Sequence, residues 1–387
     1  MKQTKKLYDL DAYAIEFEAT VLSCEEVQLD QQVIYQVILD QTLFFPEEGG
    51  QSPDKGTIQE VPVINVQIQD DVIVHTLEAP LQVGEKVHGC IDWKHRFSNM
   101  QQHSGEHIFS GLVNKKFGYD NVGFHLSDQI VTMDFNGVLT AEEAADIEYA
   151  ANEVILKNIP VQVTFPSKEE LSDLNYRSKI EIDGQVRIVT IAGVDVCACC
   201  APHVIRTGEI LMLKILNMQN YKGGVRISIL CGFRALEEYR QKTVILSELT
   251  SSLSANQDSL VEAVTKLKNV NQSLKTEVSV AKQELMAAKF EAVPKDQVNV
   301  YMFEDNLDAQ VMRNAVNQLV TEHSGICGIF SGDDEEGYRF NIGSRTEDAR
   351  TIATILREKL GAKGGGSAAM VQGSVLAKKE MILALIS

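Results

Sequence analysis

Residues 100–112 read MQQHSGEHIFSGL and residues 195–210 read DVCACCAPHVIRTGEI. Each run places two metal-binding side chains four residues apart, His103 with His107 and Cys199 with His203. Residues four apart share one face of a helix, so the two histidines of the first run can address a single ion. Three imidazoles and one thiolate make a ligand set for tetrahedral zinc. Either step alone is a weak signal, and the pair together defines a site. Cys197 and Cys200 compete for the thiolate position. The i, i+4 step to His203 favours Cys199, and the i, i+3 step from Cys200 stays open. A zinc closed by four protein ligands is structural, whereas one that keeps a position for water or substrate is catalytic, and these residues leave both roles open. Glu106 lies inside the HSGEH step, but the HExxH order of metalloproteases does not occur, which argues against a protease.

Around these runs the chain divides by pattern into an α+β protein. Residues 1–91 alternate apolar and polar side chains in short stretches (QQVIYQVILD, VPVINVQI, DDVIVHTL) between turn signals, which predicts a small β-barrel-like domain. Periodicity alone also allows a helix through VIYQVIL. Residues 92–232 mix a helix over 96–116 with strands such as GQVRIVTIAGVDV and an amphipathic helix opened by a Thr140–Glu143 capping box. Residues 233–293 hold neither glycine nor proline, and Leu246, Leu253, Leu260, Leu267 and Leu274 recur every seven residues. That spacing predicts a long coiled-coil helix, with Asn256 as a polar register-fixing position. The coil would form a hairpin or a dimer seam. Residues 294–387 read as a C-terminal α/β domain with a glycine-rich turn at Gly364-Gly365-Gly366, which offers backbone N–H groups to phosphate or serves as a plain connection.

The chain of 387 residues carries a net charge of −18, which argues against a general polyanion binder and leaves only local basic patches: Lys94-His95-Arg96, Lys115-Lys116 and Lys222 to Arg226. Seven cysteines, three of them crowded into CACC, speak against a disulfide framework. No apolar run spans a membrane and no apolar signal segment opens the chain, so a cytoplasmic protein is expected. In TLFFPEEGGQSPDKG, residues 42–56, Gly49 and Gly50 permit close backbone approach to a ligand and Gln51 sets an amide beside it. A hairpin loop is the simpler account of the same residues.

FFPEEGGQSPDKG, QQHSGEHIFSG and DVCACCAPHVIRTGEI, in this order, resemble the glycine-rich, HxxxH and CxxxH motifs of the AlaX-type editing proteins and of the alanyl-tRNA synthetase editing domain. The helical segment followed by AKGGGSAAMVQGS is similar to the synthetase's C-terminal DHHA1-type region, so the resemblance covers nearly the whole chain and leaves out the aminoacylation domain. It departs at Glu48, where the family carries a third glycine, and in CCAPH, where the family carries CGGTH. The resemblance implies hydrolysis of tRNA(Ala) wrongly charged with serine or glycine, with Zn2+ held by His103, His107, Cys199 and His203. It implies catalytic roles for Thr42, as partner of a serine hydroxyl, and Gln51, as orienter of substrate. Gly49 and Gly50 would line the substrate, and Gly364, Gly365 and Gly366 would contact RNA. A homodimer through the coiled coil or the C-terminal domain would follow. The rival is a zinc-stabilised tRNA-binding adaptor without catalysis. A DHH-type phosphodiesterase is weak, because no Asp-His-His occurs.

Overall fold

The computed structural model describes residues 3–29, 32–178 and 185–387. They form two units, Met1–Ile245 and Leu246–Ser387.

The first unit begins with strands β1 (Glu16–Leu29), β2 (Gln32–Leu39), β3 (Gly56–Ile58), β4 (Val61–Gln69), β5 (Val72–Leu77) and β6 (Lys86–Ile91). They pair antiparallel in the ring order β1-β2-β5-β4-β3-β6, which closes back on β1. A closed ring leaves no edge to cap. VIYQVIL is thus a strand and not a helix. Its alternation, and that of VIVHTL, turns Val37, Leu39, Ile73 and Leu77 into the barrel core with Phe17, Phe44 and Phe45. The same alternation carries a polar residue, His75, into an inward position.

Helix α1 (Trp93–Phe117) follows, started by Asp92, whose side chain accepts from His95 N at 3.1 Å, and stopped by Gly118 in the left-handed region. It has no apolar stripe, because it is buried on every side from Asn99 to Gly111. Strands β7 (Asn121–Leu126) and β8 (Val131–Phe135) come next, then helix α2 (Ala141–Leu156) with the Thr140–Glu143 capping box formed in both directions. Strands β9 (Val161–Thr164), β10 (Ile188–Ile191) and β11 (Asp195–Ala198) make a three-stranded antiparallel sheet. The described part of GQVRIVTIAGVDV, from Gln185 on, is therefore two strands and not one, with Gly193 at φ +72° in the turn between them. Strands β12 (Leu213–Tyr221) and β13 (Gly224–Cys231) join β7 and β8 in the order β12-β13-β8-β7. One apolar core, from Met100 and Phe109 to Ile229, joins α1, α2 and these strands.

The heptad segment is interrupted. Helix α3 (Gly232–Ser252) and helix α4 (Leu260–Glu291) are separate, and residues 253–259 between them are not helical. Asn256, read from spacing as a coiled-coil register residue, is instead a turn former. Its Oδ1 accepts from Ser259 N at 2.9 Å and from Ser259 Oγ at 2.8 Å. Clustered Ser, Asn and Asp offer the backbone local partners that compete with the helix ladder, and here they win. Leu267 and Leu274 are 56% and 53% exposed.

In the second unit, strands β14 (Val300–Glu304), β15 (Cys327–Asp333), β16 (Gly337–Gly343), β17 (Lys363–Gly366) and β18 (Met370–Val375) form one sheet in the order β14-β15-β16-β18-β17. The first pair is parallel and the rest are antiparallel. Helices α5 (Ala309–Glu322), α6 (Arg350–Leu360) and α7 (Lys379–Ile386) complete the unit, and the end of α4 seats Met286 and Phe290 against Val311 and Met312. Gly364-Gly365-Gly366 is an exposed edge strand rather than the expected turn. A side chain at 364 would run into Gln372 O across the ladder, at a φ of +147°.

Candidate metal centre

His103 and His107 project from one face of α1, one turn apart. Gly105 between them lets the helix approach β13, where a Cβ would meet Cys231 Sγ. Gly105→Ala is therefore expected to lower stability, since overpacking costs about 1–3 kcal/mol against a helix-propensity gain of about 1 kcal/mol. A denaturant midpoint raised by the substitution would contradict this.

Cys199 and His203 lie in the loop after β11. Arg187 shapes that loop from within, its Nη1 donating to Cys199 O at 2.8 Å and to Ala201 O at 2.9 Å. The ligand atoms of His103, His107, Cys199 and His203 all lie within 4.8 Å of one another. Bonds of about 2.0–2.3 Å from one zinc to nitrogen and sulfur need separations not much smaller than this.

The outer ring nitrogens fix which atoms face inward. His103 Nδ1 meets Gln51 Oε1 at 2.8 Å, His107 Nδ1 meets Asp195 Oδ2 at 2.8 Å and His203 Nδ1 meets Ser104 Oγ at 3.0 Å. Partners of this kind orient metal-binding histidines and raise their basicity. The Nε2 atoms of His103 and His203 then lie 3.5 and 3.3 Å from Cys199 Sγ. Asp195 is held in turn by Arg177 through both oxygens, at 2.8 and 2.9 Å.

The electrostatics sort the three nearby cysteines. Burial disfavours the Cys199 thiolate, but the imidazoles of His103 and His203 outweigh it and hold its thiol well below the usual cysteine range. Burial pushes Cys197 up to about 11, and burial together with the Cys199 charge holds Cys200 well above its ordinary value. Burial lowers His203 to about 3, while at His107 the bonds to Asp195 and Cys199 overcome burial and raise it. Cys200 packs towards Gly49, and Cys197 groups with His107 and Asp195 on the outer side of the ring.

The glycine-rich loop reaches the centre through Gln51, which is 1% exposed. Its Oε1 is committed to His103, and its Nε2 has no partner among the described residues. Gly49 and Gly50 take left-handed backbone, φ +61° and +82°. Gly50 is needed for close packing, since a Cβ there would lie 2.5 Å from Phe124 O. Thr42 is fully buried at the loop's start and bonds His75. Gly364 to Gly366 belong to the second unit. The basic patches are largely matched by local partners: Arg96 is buried on Asp54, His95 pairs with Asp128, Lys116 with Asp146 and Arg226 with Asp134.

Sequence reasoning missed Ser104, Arg177, Arg187 and Asp195 as members of the site. Ser104 sits within the HSGEH run and Asp195 opens the cysteine run, so position alone could have raised them. The arginines carry no local signal.

A closed barrel leads into a helix with two inward histidines, and a cysteine-histidine loop completes the set; in sequence, the barrel and the loop match tRNA synthetase families. Residues 3–95 match the family model for class II tRNA synthetases (A), and residues 186–228 match that for the second additional domain of threonyl- and alanyl-tRNA synthetases. Over 381 residues the chain is 31% identical to the alanyl-tRNA editing protein Aarsd1 of Rattus norvegicus, covering 94% of this chain and 92% of that protein. It is 27% identical over 396 residues to the alanyl-tRNA editing protein AlaX-L of Pyrococcus horikoshii, covering 98% and 96%. It is 30% identical over 377 residues to an alanine–tRNA ligase of Ignicoccus hospitalis, of which it covers 40%. The chain belongs to the alanyl-tRNA editing protein family. Among the described residues, no helix is long and apolar enough to cross a membrane.

Proposed function

We propose that this protein hydrolyses the ester bond of tRNA(Ala) charged in error with serine, and of the glycine-charged form, acting in trans on tRNA made by a separate synthetase. The observation that carries the reading is Gln51. One end of its amide is pinned to His103, and the other is a buried N–H donor with no partner among the described residues. A buried donor left open in a native site calls for a ligand acceptor. An ester carbonyl, which gathers negative charge as water adds to its carbon, is such an acceptor. The ribose oxygen then leaves with a proton and the amino acid is freed. His103, His107, Cys199 and His203 are the residues we assign to Zn2+, with Cys199 preferred over Cys200 because its sulfur faces the imidazoles. With four protein ligands its coordination would be closed, so bound zinc would supply a fixed positive charge and hold the imidazoles, and through His103 the Gln51 amide, in place.

Thr42 is assigned to the serine hydroxyl, and Gly49 and Gly50 to the backbone wall of the pocket. The exposed Gly364–Gly366 edge is assigned to RNA contact, with pairing of two chains through the helical or C-terminal segment and a cytoplasmic location. The segments 1–91, 92–232, 233–293 and 294–387 remain the working division by role.

Gln51→Ala is expected to keep its metal and lose about 10²–10³ in kcat on Ser-tRNA(Ala), the effect of removing one donor to a developing oxyanion. Undiminished turnover in that variant would refute the assignment. Tight tRNA binding without turnover in the unmodified protein would favour the adaptor instead.

A further inference from the structure

β5 places Ile73, His75 and Leu77 inward, and His75 is the one titratable side chain among them. It is 0% exposed, as is Thr42. His75 Nδ1 lies 3.2 Å from Val37 O, and His75 Nε2 lies 2.9 Å from Thr42 Oγ1. A carbonyl oxygen only accepts, so Nδ1 carries a proton. Burial pushes the imidazole down to about 4, so near neutral pH it holds that one proton and Nε2 is a bare lone pair. Thr42 must then donate its hydroxyl proton to Nε2. Phe44 N donates to Thr42 Oγ1 at 3.1 Å, which takes one of the oxygen's two lone pairs. One acceptor site and no donor remain on Thr42. The Phe44 ring and the imidazole pack edge to face, with centroids 5.6 Å apart and planes at 80°.

We propose that His75 is a positioning residue for substrate choice: by taking the Thr42 proton, it makes Thr42 an obligate acceptor towards the hydroxyl of a mischarged serine. The proposal rests on the editing reading above and names the device by which that site tells amino acids apart. A serine hydroxyl can donate to the remaining lone pair, whereas an alanine methyl or a glycine hydrogen cannot. Because the pair is sealed from water, a hydroxyl that reaches it meets no solvent competitor, and a site built around a substrate hydroxyl discriminates strongly.

The test compares deacylation of Ser-tRNA(Ala) and Gly-tRNA(Ala) by His75→Phe and His75→Gln, alongside nitrogen NMR of the imidazole in the unmodified protein. His75→Phe removes the acceptor and is expected to lower the serine-to-glycine ratio of kcat/KM about tenfold, the size of one hydrogen bond. His75→Gln, whose amide oxygen can accept, is expected to retain most of the ratio. The spectrum is expected to show a neutral ring protonated at Nδ1. A parallel fall for both substrates, an unchanged ratio, or a ring protonated at Nε2 would overturn the proposal. If His75→Phe fails to fold, the glutamine variant and the spectrum decide. An unmodified protein that releases neither amino acid would sink the editing reading, while the spectrum would still judge the proton arrangement.

Discussion

His103→Ala is expected to strip zinc from the protein and to cut release of serine from Ser-tRNA(Ala) by more than ~1,000-fold, above the range for losing one donor to a developing oxyanion. His103 does two things at once. Its Nε2 faces Cys199 Sγ at 3.5 Å, and its Nδ1 holds Gln51 at 2.8 Å. Alanine removes an imidazole from the ligand cluster and frees the amide assigned to the ester carbonyl. The effect should therefore exceed that of Gln51→Ala, which leaves the ligand set whole. Metal content by atomic emission and single-turnover deacylation measure the two losses separately. A variant that keeps both zinc and turnover would remove His103 from the site.

Arg96→Ala is expected to destabilise the first unit by about 3–5 kcal/mol, the usual cost of breaking a buried ion pair from one side. Arg96 and Asp54 are both fully buried and paired through the guanidinium. Arg96 Nη2 also donates to Leu43 O at 2.5 Å and Nη1 to Ala12 O at 3.1 Å. Asp54 accepts from Phe45 N at 2.6 Å. The pair thus clamps the barrel-side loop that begins at Thr42 to the first turn of α1. Losing the arginine leaves a carboxylate in a dry interior and loosens the segment that carries Gln51. Urea unfolding followed by circular dichroism reads the loss. A change below about 1 kcal/mol, the range of an exposed pair, would contradict the account.

What the sequence made legible was local. Two histidines four apart on one helix must share a face, and a threonine three residues before a glutamate can close a capping box. Both follow from geometry within a single turn. Alternating apolar residues between glycine-rich turns likewise marked the barrel strands. The partners that orient the histidines were not legible, because Asp195 and Gln51 meet them across 88 and 52 residues of chain. The helix α1 lacks an apolar stripe for the same reason: it is surrounded, so burial does not select one face. The long helix failed for a different one. Leucines seven apart satisfy a coiled-coil pattern, but the pattern is blind to Asn256 and Ser259, whose side chains capture the backbone and stop the ladder.

The most direct test of the central claim is single-turnover deacylation of Ser-tRNA(Ala) and Ala-tRNA(Ala) by the purified, zinc-loaded protein. Rapid release of serine with alanine spared is expected. Release of both amino acids at equal rates, or of neither while the tRNA stays bound, would contradict it.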